Sequence, residues 1–213
     1  MKEENTYTIN MVENHIRTLN VIDDDVLNVL KEIPRALFVP NQYKSFAHVD
    51  MKIPLGYGQY MLLPSVEAKI LQSMSIKKSE TVIVVGSGSG YLSACVSMLA
   101  HQVCSIDIIK AFVNQSIKNA SILKNKNLSF ENKNILNSFN LIQNYKTIIF
   151  TMAFNDIDPI LANMDNNTRC FIFQAKDGCP VQKGVIIRKT NKSGYIKDFI
   201  LETNVESIIT EKI

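Results

Sequence analysis

The residues most able to do chemistry in this chain lie in one stretch, Thr81-Val82-Ile83-Val84-Val85-Gly86-Ser87-Gly88-Ser89-Gly90-Tyr91. A run of β-branched residues leads straight into three alternating glycines, and a helix-compatible segment, Tyr91 to His101, follows. The pattern predicts a buried parallel strand, a tight turn and a helix whose N-terminus faces that turn. Glycine permits positive φ and lets the backbone approach a ligand that side chains would hold off. The N–H groups at the helix start add donors and a partial positive charge. A second apolar run, Val103-Cys104-Ser105-Ile106, ends on Asp107, 21 positions after Gly86. A carboxylate at that spacing lies at the tip of the neighbouring strand, where it can accept the hydroxyls of a ribose. Gly86, Ser87, Gly88, Ser89, Gly90 and Asp107 are therefore candidate contacts to a nucleoside.

A dinucleotide fingerprint places a third glycine where this chain has Tyr91. Gly-x-Gly-x-Gly followed by an aromatic is more similar to the first motif of S-adenosylmethionine-dependent methyltransferases, whose ligand has no pyrophosphate. A glycine turn in a ligand-free α/β protein is the plainer alternative. The acid at matching downstream spacing weighs against it.

Positioning these groups takes an ordered set of elements. Residues 10–33 read as two short helices, the second capped by Asp23-Asp24-Asp25. Ile33-Pro34 to Val39-Pro40 reads as an extended turn anchored by Phe38, and residues 41–47 as one further helical turn. Val49 to Pro64 lacks helical periodicity, and Gly56-Tyr57-Gly58-Gln59 within it marks a structured loop of the kind that carries function. A helix is expected over Pro64–Ser75, with Val66, Ile70, Leu71 and Met74 inward. After Asp107 a helix over about 110–124 precedes strands at 128–131, 147–151 and 170–173. Two more strands, 184–188 and 196–201, form a hairpin across Asn191-Lys192-Ser193-Gly194. The expected fold is α/β, a seven-stranded and mostly parallel Rossmann-like sheet with a C-terminal antiparallel hairpin and an N-terminal helical section. One domain is expected over 1–213, with N-terminal helices and a substrate loop over 10–75 and a cofactor-binding sheet over 80–213.

The 213 residues, 46% hydrophobic and 20% charged, are ordinary for a globular chain. A net charge of +3 with scattered basic residues gives no sign of a nucleic-acid groove or a membrane patch. No apolar run approaches the ~18 residues that span a bilayer, and the polar start is unlike a signal peptide. Cys95, Cys104, Cys170 and Cys179 include no Cys-x-x-Cys pair, and the three histidines are dispersed. Reduced thiols in a cytoplasmic protein without a metal site are expected. Oligomeric state is not legible.

Taken together, the motifs resemble those of the protein-L-isoaspartate (D-aspartate) O-methyltransferase family over roughly residues 10–210. The carriers are Met11-Val12-Glu13 with His15-Ile16-Arg17, Ile33-Pro34-Arg35 with Phe38-Val39-Pro40, Pro54-Leu55-Gly56-Tyr57-Gly58-Gln59, the glycine turn, and Ser105-Ile106-Asp107. The resemblance implies a class I methyltransferase fold and S-adenosylmethionine as cofactor. It implies methylation of the misplaced carboxylate of isoaspartyl residues in a protein or peptide substrate. It also implies that Gly56, Tyr57, Gly58 and Gln59 form a substrate loop and that Asn134 faces the adenine amino group.

Several positions depart from the family pattern. Tyr60-Met61-Leu62-Leu63-Pro64 replaces Thr-x-Ser-Gln-Pro; the acid at the tip of the first strand is Val84; and the aspartate expected at Asn134 is an amide. An aspartate is replaced by Lys146, and a Pro-Gly-Gly turn by Asp165-Asn166-Asn167. Methyl transfer to a carboxylate needs no general base, since the nucleophile is already ionised near neutral pH. The lost loop hydroxyls remove positioning, with Tyr60 the candidate catalytic hydroxyl from the same loop. The two lost acids, at about 1 kcal/mol each, predict cofactor affinity weakened roughly thirty-fold. Two other readings stay open: a degenerate cofactor-binding or interaction module, and a methyltransferase with a different acceptor.

Overall fold

A computed structural model describes residues 2–123, 126–190 and 194–209. Helix α1 (Lys2–Met11) continues through a π turn (Val12–Ile16) and a 3-10 turn (Arg17–Leu19). It starts well before residue 10, the expected boundary. Its sequence, KEENTYTINM, has no apolar stripe, so periodicity cannot reveal it. Asn20, at φ 64°, ends the turn, and α2 (Asp24–Glu32) follows. The Asp23 carboxylate accepts from the Val26 amide, which is the cap read from the sequence.

The segment expected to be a structured loop is a hairpin of β1 (Ile53–Gly56) and β2 (Gln59–Met61). Its two central residues, Tyr57 and Gly58, have φ of 53° and 68°. Positive φ at both is the turn that matches strand twist, usually written Asn-Gly. With tyrosine in the first position and Pro54 in a four-residue strand, the usual signals were missing. Pro64 then starts α3 (Pro64–Met74).

The main sheet comprises β3 (Thr81–Val85), β4 (Gln102–Asp107), β5 (Leu128–Asn132), β6 (Thr147–Phe154), β7 (Arg169–Gln174), β8 (Gln182–Lys189) and β9 (Tyr195–Thr203). Their order is β5-β4-β3-β6-β7-β8-β9, parallel from β5 to β7 and antiparallel over the last two pairings. Helices α4 (Tyr91–Leu99), α5 (Lys110–Ala120) and α6 (Asp158–Asn163) alternate with the parallel strands. Helix α5 stops four residues before the expected Lys124, which lies outside the described residues. Asn191, Lys192 and Ser193, the expected β8–β9 turn, also lie outside them.

Alternation along β3 divides the core. Val82 and Val84 face a cluster with α2, α3 and α4, while Ile83 and Val85 face Ile148, Phe150 and Ile160. The chain leaves β3 toward β4 on one side and later returns to pair β6 on the other. Between β3 and β6 the strand order therefore reverses, the place where open α/β sheets form a crevice at their C-terminal edge.

Candidate active site

A cleft opens at that edge, enclosing about 890 Å³ counted out to its mouth. Gly86, Ser87, Gly88 and Ser89 form one wall and Asp107 stands beside them. Gly86 adopts φ 94°, and a Cβ there would fall 2.1 Å from Thr151 Oγ1, so β6 enforces glycine. Thr151 Oγ1 donates to the carbonyls of Val85 and Gly86 and locks the two strands together. Gly88, at φ 51°, has only Leu55 Cδ1 of the hairpin nearby, 3.3 Å from a built Cβ, and its remaining side is open to the cleft.

Gly90 is placed differently from the other turn glycines. It caps α4 at φ 87° and does not line the cleft; a Cβ would press on Ser116 of α5 at 3.0–3.2 Å. Its requirement is helix–helix packing. The turn's amides are also less available than the sequence implied. Gly88 N–H donates to Asp107 Oδ2 (3.0 Å), Gly90 N–H to the Ser87 carbonyl (2.7 Å), and Tyr91 N–H to Ser89 Oγ (3.4 Å).

Asp107 is 7% exposed. Its carboxylate accepts from Gly88 N–H, from Ser87 Oγ (3.3 Å) and from Ile109 N–H (2.9 Å). Burial raises its pKa, and the hydrogen bonds from Gly88, Ile109 and Ser87 oppose that rise. These bonds, together with a contribution from the Ser87 backbone, occupy most of its acceptor sites, and a ligand hydroxyl competes most easily with the long bond from Ser87 Oγ. Asn134 lines the cleft, where its Oδ1 caps a 3-10 turn by accepting from Leu136 N–H (2.9 Å), leaving one lone pair. Ile106, Ile108, Ile109, Phe112 and Ile135 give this part of the cleft an apolar slot alongside Asp107 and Asn134.

The hairpin roofs this slot. Tyr57 meets Phe112 edge-to-face with ring centroids 5.6 Å apart. Gly56, Tyr57 and Gly58 form the exposed tip and do not line the cleft, whereas Gln59, Tyr60, Met61 and Leu62 do. Lys52 Nζ lies 5.0 Å from the centre of the half-exposed Tyr60 ring and also pairs with Glu206 at 2.5 Å. The segment Glu206–Ile209 closes the same end, held by a bridge between Ala153 and Ser207.

Glu67 of α3 lines the cleft too and, like Thr151 and Glu206–Ile209, is not among the candidates read from the sequence. It is 3% exposed and paired with fully buried Arg35, Oε2 to Nη2, at 3.2 Å. Arg35 also donates to the Leu62 carbonyl (2.6 Å) and stacks over Tyr91. Burial raises the Glu67 carboxyl to about 7; Arg35 opposes the rise and Asp50 adds to it. The signal was present in the sequence. Glu67 shares the i, i+3, i+4, i+7 stripe with Ile70, Leu71 and Met74, an acid on an otherwise apolar face.

The family model for protein-L-isoaspartate(D-aspartate) O-methyltransferase matches residues 6–172. A Dictyoglomus thermophilum protein-L-isoaspartate O-methyltransferase is 31% identical over 132 residues, 62% of this chain and 60% of the relative. An Anaeromyxobacter protein named protein-L-isoaspartate O-methyltransferase 2 is 28% identical over 84% of this chain and 74% of its own. The match thus spans about three fifths of the Dictyoglomus protein's length. Among solved structures, a Plasmodium falciparum protein described as a protein-L-isoaspartate O-methyltransferase, in complex with S-adenosyl-L-homocysteine, superposes with a TM-score of 0.80. It is 22% identical and covers 96% of this chain and 99% of its own. A second structure of that name gives a TM-score of 0.78 at 18% identity, over 92% of this chain and 64% of its own.

Proposed function

Because the chain belongs to the protein-L-isoaspartate (D-aspartate) O-methyltransferase family, we propose that it transfers a methyl group from S-adenosylmethionine to the side-chain carboxylate of isoaspartyl residues in proteins or peptides. The observation that carries this reading is a family match over residues 6–172 that includes every wall of the cleft except the C-terminal segment.

The residues present fit the cofactor. The Ile106–Ile109, Phe112 and Ile135 slot takes the adenine, Asn134 offers it an acceptor, and Asp107 has acceptor capacity for a ribose hydroxyl. Gly88 leaves the space that a side chain would fill. Bound there, S-adenosylmethionine supplies an electrophilic methyl group on a positively charged sulfur. The chain's own task is then alignment and exclusion of water, since an isoaspartyl carboxylate is a competent nucleophile at neutral pH and no proton has to move. Tyr60, Met61 and Leu62 on one side and Glu206–Ile209 on the other bound the acceptor end. We take Tyr60 and Gln59 as the polar groups of the hairpin that meet the peptide. None of the described helices is long and apolar enough to cross a membrane, and all four cysteines are free. Those thiols support a reducing compartment, the cytoplasm.

The test is incubation with labelled S-adenosylmethionine and a peptide pair that differs only in isoaspartyl or aspartyl linkage. Base-labile label on the isoaspartyl peptide alone is expected. Binding of the cofactor with no transfer to that peptide would overturn the choice of acceptor.

A further inference from the structure

The family acid at the tip of the first sheet strand is Val84 here, fully buried among apolar side chains. By the family resemblance an acid at that position would face the cofactor's ammonium, and Val84 offers it no anionic partner. Val84 and Tyr91 belong to the same apolar cluster as Val66, Ala68 and Ile70 of α3, and Glu67 of that helix reaches the end of the glycine turn through Arg35, which pairs with Glu67 and lies over the Tyr91 ring. The Glu67 carboxylate is buried and lines the cleft, and its Oε2 accepts no hydrogen bond despite the ion-pair contact to Arg35. A buried acceptor with no hydrogen bond is destabilising, more so when charged, unless a ligand completes it.

We propose that Glu67 has taken over the role of the missing strand-tip acid and receives the ammonium group of the cofactor's amino-acid tail. The inference rests on the proposed use of S-adenosylmethionine. The carboxylate enters from α3, one helical turn after Pro64, instead of from β3. Arg35 holds the side chain from beneath, with its guanidinium fixed by the Leu62 carbonyl and the Tyr91 ring. The other titratable groups acting on Glu67 are Asp50, Tyr91 and Cys95. Tyr91 and Cys95 are held neutral by burial, since both pKa values are raised. Near neutral pH the free protein carries Glu67 partly protonated, as its carboxyl is raised to about 7. A bound ammonium favours the carboxylate, so binding releases a proton.

Calorimetric titration with S-adenosylhomocysteine and with 5′-methylthioadenosine, which lacks the amino-acid tail, tests this in the unmodified protein and in Glu67→Gln. In the unmodified protein, affinity for S-adenosylhomocysteine should rise close to tenfold from pH 5.5 to 6.5 and level off above 7.5. Affinity for 5′-methylthioadenosine should stay flat. Glu67→Gln should weaken S-adenosylhomocysteine at least tenfold at pH 7.5, leave 5′-methylthioadenosine within twofold, and abolish the pH dependence. Val84→Glu added to Glu67→Gln should recover part of the affinity. Equal losses for both ligands, or a flat pH profile for both in the unmodified protein, would overturn the assignment and leave Glu67 as a counter-ion to Arg35. The unmodified protein decides the question even if Glu67→Gln does not fold. Failure of both ligands to bind it would refute the cofactor reading itself, and with it this role for Glu67.

Discussion

At the residue scale, the three turn glycines separate by what surrounds them. Gly88→Val places a branched side chain on the open side of the turn at φ 51° and should abolish S-adenosylhomocysteine binding while the protein still unfolds cooperatively. Gly90→Ala instead forces a Cβ onto Ser116 at positive φ, away from the cleft. It should cost about 1–3 kcal/mol in urea unfolding, with affinity in the surviving folded protein changed much less than by Gly88→Val. Glycine spacing alone could not make this distinction, because all three look alike until α5 and β6 are placed against them. Glu67 gives a further residue-level outcome. Its folded carboxyl is raised from 4.5 to about 7, so the folded state holds the proton more tightly. The stability this contributes is fully present below about pH 4.5 and is lost as pH rises through 7. The loss is about 3 kcal/mol at most. Glu67→Gln, which mimics the protonated form, should match the unmodified protein near pH 4.5 and exceed it near pH 7.5 in ligand-free urea unfolding. Reduced stability of Glu67→Gln at pH 7.5 would show that the Arg35 pair outweighs desolvation.

At the scale of elements, the β1–β2 hairpin determines access to the cleft. Leu55 packs over Gly88, Tyr57 stacks on Phe112, and Lys52 links the base of the hairpin to Glu206 of the C-terminal segment. Tyr57→Ala removes an edge-to-face pair worth about 0.5–1.5 kcal/mol. Ligand dissociation should therefore quicken several-fold in stopped-flow measurements, with little change in thermal midpoint because Tyr57 is 56% exposed. The parallel strands and their helices were legible from the sequence because β-branched runs alternate with amphipathic segments. The hairpin was not, since its turn lacks Asn-Gly and its strands have four and three residues. Helix α1 was not, because its sequence has no apolar face. The site divided in the same way: contacts within one βαβ unit could be read locally, but Glu67 and Glu206–Ile209 reach the cleft, and Arg35 reaches Glu67 behind it, only through tertiary packing.

At the scale of the whole molecule, the N-terminal helical section is joined to the sheet by a partly buried polar cluster around Arg169 as well as by apolar packing. Arg169 of β7 donates to the Met74 carbonyl at the end of α3 (2.8 Å) and to both carboxylate oxygens of Glu80 before β3 (2.9 and 2.5 Å). Burial alone would raise Glu80; hydrogen bonds from Arg169, from the Lys77 amide and from Thr147 reverse this and bring it below the ordinary value. A lowered folded value means that its stabilisation is present above the unfolded carboxylate range and is lost as pH falls through the folded value. Arg169→Met should remove about 1–3 kcal/mol of stability at pH 7 and less at acid pH, measured by urea unfolding, without altering ligand specificity.

The cleft as a cofactor site is the claim on which the rest depends, and its most direct test is calorimetric titration of the unmodified protein with S-adenosylhomocysteine at pH 7.5, beside Gly88→Val. One site per chain, with a dissociation constant no weaker than hundreds of micromolar and no detectable binding in a folded Gly88→Val variant, is the predicted result. Absence of binding at millimolar ligand, or equal binding by Gly88→Val, would contradict it.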